Sequence, residues 1–166
     1  MTDFNWSRFT VRITVKASPK DLYKAWATKK GIEHWFLRLS EFKNPAGTAR
    51  GINEYVETGD TYKWLWYGWP DDMVETGSIL DCNGKDYIKF KFGVAGDCSV
   101  SIKTEEGENI VELIQDNIPT DEKGMQYYHL GCKTGWTFYM ANLKSLMEGG
   151  VDLRNRNENI KRVINS

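Results

Sequence analysis

The sequence predicts an α+β domain: an antiparallel sheet covered by one long helix. Three observations predict it. Between residues 61 and 117, segments alternating apolar and polar side chains follow one another with connections too short for crossovers, as in an antiparallel meander. From about Met125 to Glu148, apolar residues recur every three and four positions, which makes roughly 36 Å of amphipathic helix. A twisted sheet with one apolar face needs a cover, and that helix is the one segment large enough to supply it.

Each element has its own local reason. Phe9, Val11, Ile13 and Val15 alternate with polar residues, the pattern of a half-buried strand. Ser18 is placed to cap a helix, Pro19 suits its first position, and Asp21 complements its positive end. Leu22, Tyr23, Ala25 and Trp26 form the apolar stripe of that helix. Thr28 can cap a second short helix through Gly31 to Trp35, after which Leu37, Leu39 and Phe42 belong to a strand. From Asn44 to Gly59 periodicity fails, which reads as a long insertion, with a functional lid as the alternative.

The meander follows. Tyr62, Trp64 and Trp66 share one face of a strand, opposite Lys63, Leu65 and Tyr67. Val74 to Asp81 is the next strand, and Asn83-Gly84 is the strongest hairpin signal, of the type I′ kind. Ile88, Phe90 and Phe92 lie opposite Lys89 and Lys91. Gly93 and Gly96 bracket a turn, Cys98, Val100 and Ile102 share a face, and Glu106-Gly107 turns the chain again. Val111, Leu113 and Gln115 share the inner face of the last strand. Thr120 is placed to cap the long helix. Its stripe runs through Met125, His129 or Tyr128, Cys132, Trp136, Met140 or Tyr139, and Leu143, and Gly149-Gly150 suits its end. A polar tail from Asp152 closes the chain.

Composition narrows the function. The 166 residues suit one domain spanning 1–166, large enough to bury about 70% of its unfolded surface without a disulfide or metal. Twenty-two Lys and Arg against 23 Asp and Glu give a net charge of −1, without the basic excess of a nucleic-acid binder. Mean hydropathy is −0.55, and no apolar run is long enough to span a bilayer. The first residues carry no basic and apolar leader, so a cytoplasmic protein is expected, with Cys82, Cys98 and Cys132 as free thiols. The metal motifs CxxC, HxH and HExxH are missing, as are GxSxG, GxGxxG and GxxxxGK[ST]. No metal, cofactor or catalytic residue is therefore expected.

What stands out is aromatic content: 7 Trp, 8 Tyr and 7 Phe. Strand phase points Tyr62, Trp64, Trp66, Phe90, Phe92 and Gln115 inward, toward Cys132, Trp136 and Met140 of the helix. Two readings stay open: a packed aromatic core, or the wall of a cavity for an apolar ligand. Gln115, an amide where an apolar residue belongs, either finds partners in the core or orients a ligand.

Two blocks resemble a known family. Gly135-Trp136, the spaced Leu143-Lys144 and Leu146, Glu148-Gly149, then Asp152-Leu153-Arg154 resemble the signature of the bacterial domain related to the activator of the heat-shock-protein-ninety ATPase. The first block, Ala17-Ser18-Pro19, Ala25-Trp26 and Gly31-Ile32-Glu33-His34-Trp35-Phe36, is similar too. The resemblance covers about residues 6 to 154. It implies the helix-grip fold, START-like or Bet v 1-like, with seven curved antiparallel strands around the C-terminal helix and a cavity that holds apolar ligands in relatives. The expected ligand-binding residues are then Trp35, Tyr62, Trp64, Trp66, Phe90, Phe92, Gln115, His129, Cys132, Trp136 and Met140. The expected function is non-catalytic binding of a small hydrophobic or amphipathic molecule, in a monomer or homodimer. A chaperone-linked stress role is the second expectation, and a polyketide-cyclase-like enzyme the third.

Overall fold

A computed structural model describes residues 4–160 and 162–164. In chain order the strands are β1 (Phe9–Thr14), β2 (Leu39–Lys43), β3 (Thr61–Leu65), β4 (Glu75–Cys82), β5 (Tyr87–Lys91), β6 (Asp97–Glu105) and β7 (Glu108–Asp116). Among the described residues these form one antiparallel sheet, ordered β1-β7-β6-β5-β4-β3-β2. Two short helices, α1 (Pro19–Ala27) and α2 (Lys29–Trp35), connect its two edges, β1 and β2. A bulge between Ile79 and Asp81 breaks the register of β4 against β5, the device by which a sheet bends.

The long helix, α3, runs unbroken along the concave face. Its first part, Gly124–Gly131, is π-wound, and its second, Cys132–Met147, is α-helical. The stripe read from the sequence assumed the α pitch throughout, and the wider π winding shifts the phase of the first turns. His129 therefore turns away toward the N-terminal segment, where its Nδ1 lies 2.8 Å from the Trp6 carbonyl oxygen and its ring meets Phe4, Trp6 and Phe9.

Inward phase is as the alternation required. Trp64, Phe90, Cys98, Val100, Val111, Leu113 and Gln115 are all buried, against Trp136, Met140 and Leu143 of α3. Trp26 and Trp35, from α1 and α2, pack edge to face at 4.5 Å and close the far side of this core.

Two local expectations are corrected. The long helix is capped by Asp121 rather than Thr120: its Oδ1 accepts from the Gly124 N–H at 2.8 Å. The Asn83-Gly84 hairpin is not type I′, because only Gly84 has positive φ. Instead Asn83 Oδ1 accepts from three successive backbone N–H groups, those of Lys85, Asp86 and Tyr87, which holds a longer loop. The two-residue turn with positive φ at both positions is Glu106 (49°) and Gly107 (81°). The 44–60 segment is a strap and not a lid. Val56 is buried and donates to the Ala27 carbonyl, and the Arg50 guanidinium joins Asp60, Glu54 and Glu57.

The start of the polar tail is tied into the fold. Arg154 is 6% exposed. Its guanidinium donates to the carbonyls of Glu33, His34 and Leu37 at the end of α2, and pairs with Asp152 at 2.9 Å. A cation at those carbonyls satisfies groups that no helical N–H can reach. Asn142 of α3 completes the knot, donating to the Trp35 carbonyl and to Asp152 and accepting from the Leu153 N–H.

This knot makes two measurable demands. Arg154→Met leaves three carbonyls and a carboxylate without their cation and should cost about 3–5 kcal/mol in urea unfolding, since one partner of a buried pair is removed. Burial alone would raise the Asp152 carboxyl, but hydrogen bonds from Arg154 and Arg156 hold it well below the usual carboxylate range. A carboxyl depressed in the folded state stabilises above its unfolded value near pH 4 and loses that contribution as pH falls further. The melting temperature of the native protein should therefore drop below about pH 4, and Asp152→Asn should show a smaller drop alongside lower stability at neutral pH.

Candidate functional site

At one end of the grip the sheet and α3 part, leaving a solvent-open cleft of about 600 Å³. Its floor is Phe36, Phe92, Trp136 and Tyr139, and one wall is the π segment with Gln126, Tyr127, Leu130 and Gly131. The opposite wall is Trp66 and Trp69, from the connection after β3. A second hollow of about 250 Å³ shares Trp66 and Trp69 and ends at Asp72, Met73, Val74 and Glu75. Apolar side chains rim the mouth: Trp69 is 48% exposed, Tyr127 60% and Leu130 51%.

Trp136 sits at the junction of core and cleft. Its ring stacks on Phe36 at 4.9 Å and lies 5.5 Å from Phe92. Its Nε1 donates to Gln115 Oε1 at 2.9 Å. That oxygen also accepts from the Cys98 thiol at 3.5 Å, while Gln115 Nε2 donates to the Ala95 carbonyl at 2.8 Å. The inward amide is thus engaged on both sides and does not face the cleft.

Glycine at 135 makes room for the cleft. A glycine inside a helix is about 1 kcal/mol less favourable than alanine. Here a Cβ would meet nothing within 4 Å, so packing does not demand the glycine. What its bare backbone leaves is space in the cleft wall.

Of the residues expected at a ligand site, the structure brings Trp66, Phe92, Cys132 and Trp136 together on the cleft. It places Trp35, Trp64, Phe90, Gln115 and Met140 in the packed core, where their neighbours fill the space. Tyr62 is also buried there, stacked on Trp64 at 3.9 Å, and its hydroxyl donates to the Lys91 carbonyl. His129 belongs to the N-terminal aromatic cluster. Sequence reasoning missed Phe36, Trp69, Tyr127, Leu130, Tyr139 and Glu75. Tyr139 stood as an alternative in the helix stripe, and Glu75 also had a signal: with Ile79 inward, alternation carries Gly77 and then Glu75 to the same face.

Titratable groups in the cleft are tuned by burial. The Cys132 thiol is pushed up by burial, a rise that hydrogen bonding with Gln115 opposes and the Glu75 charge adds to. Tyr139 is pushed up to about 12, first by burial. The Glu75 carboxyl is raised by burial. Among the described residues no group of His, Cys, Asp and Glu is placed to hold a metal ion, and no helix is long and apolar enough to cross a membrane.

Residues 16–148 match the family model described as activator of Hsp90 ATPase homolog 1-like protein. The chain belongs to that family. Solved structures agree on the START-like helix-grip fold. The Aha1 dimer from Colwellia psychrerythraea is 19% identical over 86% of this chain and 97% of its own, with a TM-score of 0.65. Protein SSP2350 from Staphylococcus saprophyticus is 20% identical over 89% and 96%, with a TM-score of 0.67. DynU16, a protein in the dynemicin biosynthetic locus, is 15% identical over 90% of this chain and half of its own, with a TM-score of 0.65. No protein of curated function matches the sequence.

The engaged amide changes what a substitution should do. Of the two readings open for Gln115, the structure supports the core partner. With Trp136 Nε1 left unpaired in the core, Gln115→Leu should cost about 1–3 kcal/mol of unfolding free energy. Trp136→Ala should cost about 3–5 kcal/mol, since it opens a cavity between α3 and the sheet. Equilibrium denaturation of both variants checks the pair.

Proposed function

We propose that this domain binds a small apolar or amphipathic molecule in the cleft and leaves it chemically unchanged. The observation that carries the reading is an aromatic-walled cleft of about 600 Å³ kept open at Gly135, where a side chain would fit without a clash. Flat apolar walls with few polar groups suit a ligand held by surface burial. Binding is preferred over catalysis because, among the described residues, the cleft brings no nucleophile and base together. Burial raises the Cys132 thiol, and the His129 ring is engaged elsewhere, packed on Phe9 with its Nδ1 at the Trp6 carbonyl. A structural relative from a biosynthetic locus is consistent with a small-molecule role. The family description and the exposed apolar rim of Trp69, Met73, Val74, Tyr127 and Leu130 favour a second reading, contact with a chaperone.

The neutral dye N-phenyl-1-naphthylamine separates the two. It should bind the native protein saturably, with enhanced dye emission and quenched tryptophan emission. Gly135→Leu fills the cleft and restores a good helix former, so binding should weaken at least about tenfold, a loss of 1.4 kcal/mol or more. The melting temperature should stay level or rise. Dye binding that is missing from the native protein, or unchanged in Gly135→Leu, defeats the reading. Stimulation of a chaperone ATPase that survives in Gly135→Leu would favour the second.

A further inference from the structure

Glu75 is the first residue of β4 and pairs directly with Trp64 of β3. Directly opposed residues of an antiparallel pair share a face. The Trp64 ring is buried in the core, so Glu75 projects a carboxylate onto the inner, helix-facing side of the sheet. Its carboxyl oxygens lie where a Cβ on Gly93 would meet them at 2.6 Å, so the glycine next to Phe92 leaves room for the acid. Among the described residues no hydrogen bond or ion pair holds this carboxyl. The nearby cations are committed elsewhere: Arg38 to Asp71, and Lys89 and Lys91 to Asp97. A second acid, Asp72, lines the same hollow.

Glu75 is half-buried, so its carboxylate has lost part of its hydration without gaining a protein partner. What surrounds it here is aromatic: Trp66 and Trp69 line its hollow, and Phe92 and Trp136 floor the adjoining cleft. Indole and phenyl faces attract cations through the negative face of the ring, and an acid among them adds a full opposite charge. A neutral head group gains at most one hydrogen bond to the acid, without the charge attraction, and an anion would be repelled by both acids.

We propose that the ligand of the cleft is an organic cation: an apolar body carrying an amine or quaternary ammonium head, with the head lodged against Glu75 between Trp66 and Trp69. This rests on the reading of the cleft as a ligand site and adds the charge of the ligand. The apolar body lies along Phe36, Phe92, Trp136 and Leu130.

The test uses three ten-carbon amphiphiles that differ in head charge: decyltrimethylammonium, 1-decanol and decanoate. Each competes with N-phenyl-1-naphthylamine on the full chain, below its micelle concentration. The native protein should prefer the cation over the alcohol by at least about tenfold, and the alcohol over the anion. Glu75→Gln should bring cation and alcohol to within about twofold of each other while leaving the alcohol's affinity in place. An alcohol or carboxylate that binds the native protein as tightly as the cation overturns the proposal, as does a cation preference that persists in Glu75→Gln. If the alcohol displaces the dye and the cation does not, only the charge assignment falls. If none of the three displaces it, the ligand-site reading falls as well. The order of head groups on the native protein decides even where the variant folds poorly.

Discussion

A helix lying in an apolar groove has little to fix its rotation, since side chains of similar size can exchange places at small cost. In this domain one directional contact fixes it: the Trp136 indole N–H on Gln115 Oε1. Gln115 is itself held by the Ala95 carbonyl on one side and the Cys98 thiol on the other, so the acceptor cannot swing. With the rotation of α3 set, Met140 and Leu143 must face the sheet, while Gly131, Cys132 and Gly135 must face the opening. The buried amide is thus a pin that decides which face of the helix becomes cleft wall. That is the use of a polar group in a core which apolar packing alone would leave degenerate.

A second pin holds the other end. Asn142 lies on the same helix and ties it to the carbonyl end of α2 and to the returning tail, where Arg154 closes the carbonyls of three residues. Between these two fixed points the helix is α-wound, and beyond the first it relaxes into the π-wound segment that lines the cleft. The division is physical: close packing and directional bonds secure the stretch from Trp136 to Leu143. The cleft lies where the packing stops, and its rim of Trp69, Tyr127 and Leu130 exposes apolar surface that the core has no room to cover.

The fold was legible because its signals are periodic. Alternation set the phase of β3, β5, β6 and β7, and one stripe set the long helix, so the burial of Trp64, Phe90, Leu113 and Trp136 could be read from residue order. The site was less legible because phase gives direction and not space. Trp64, Phe90 and Gln115 point inward, yet Phe36 after α2 and Trp136 of α3 occupy the volume they face. Whether an inward residue meets packing or a void depends on how tightly the sheet curls. That is set by a bulge at Ile79 and Asp81, which alternation does not mark. The π winding likewise has no simple sequence signature here, so the turn placed on His129 fell instead on Tyr127 and Leu130.

Glu75 shows how the two levels combine. Alternation along β4 places it on the face with Ile79, and the register opposite Trp64 agrees. Alternation gives its direction but not its degree of burial. Here the neighbouring turn, Gly93 to Ala95, folds back over it, and burial raises its carboxyl. The fold therefore carries a partly desolvated, unpaired acid at the boundary between its filled core and its open cleft. The fold gives that acid no partner there, whereas a cationic ligand entering past Trp69 would supply one. An unpaired group placed where a ligand would pair it is how a fold concentrates binding free energy at one end of an otherwise apolar site.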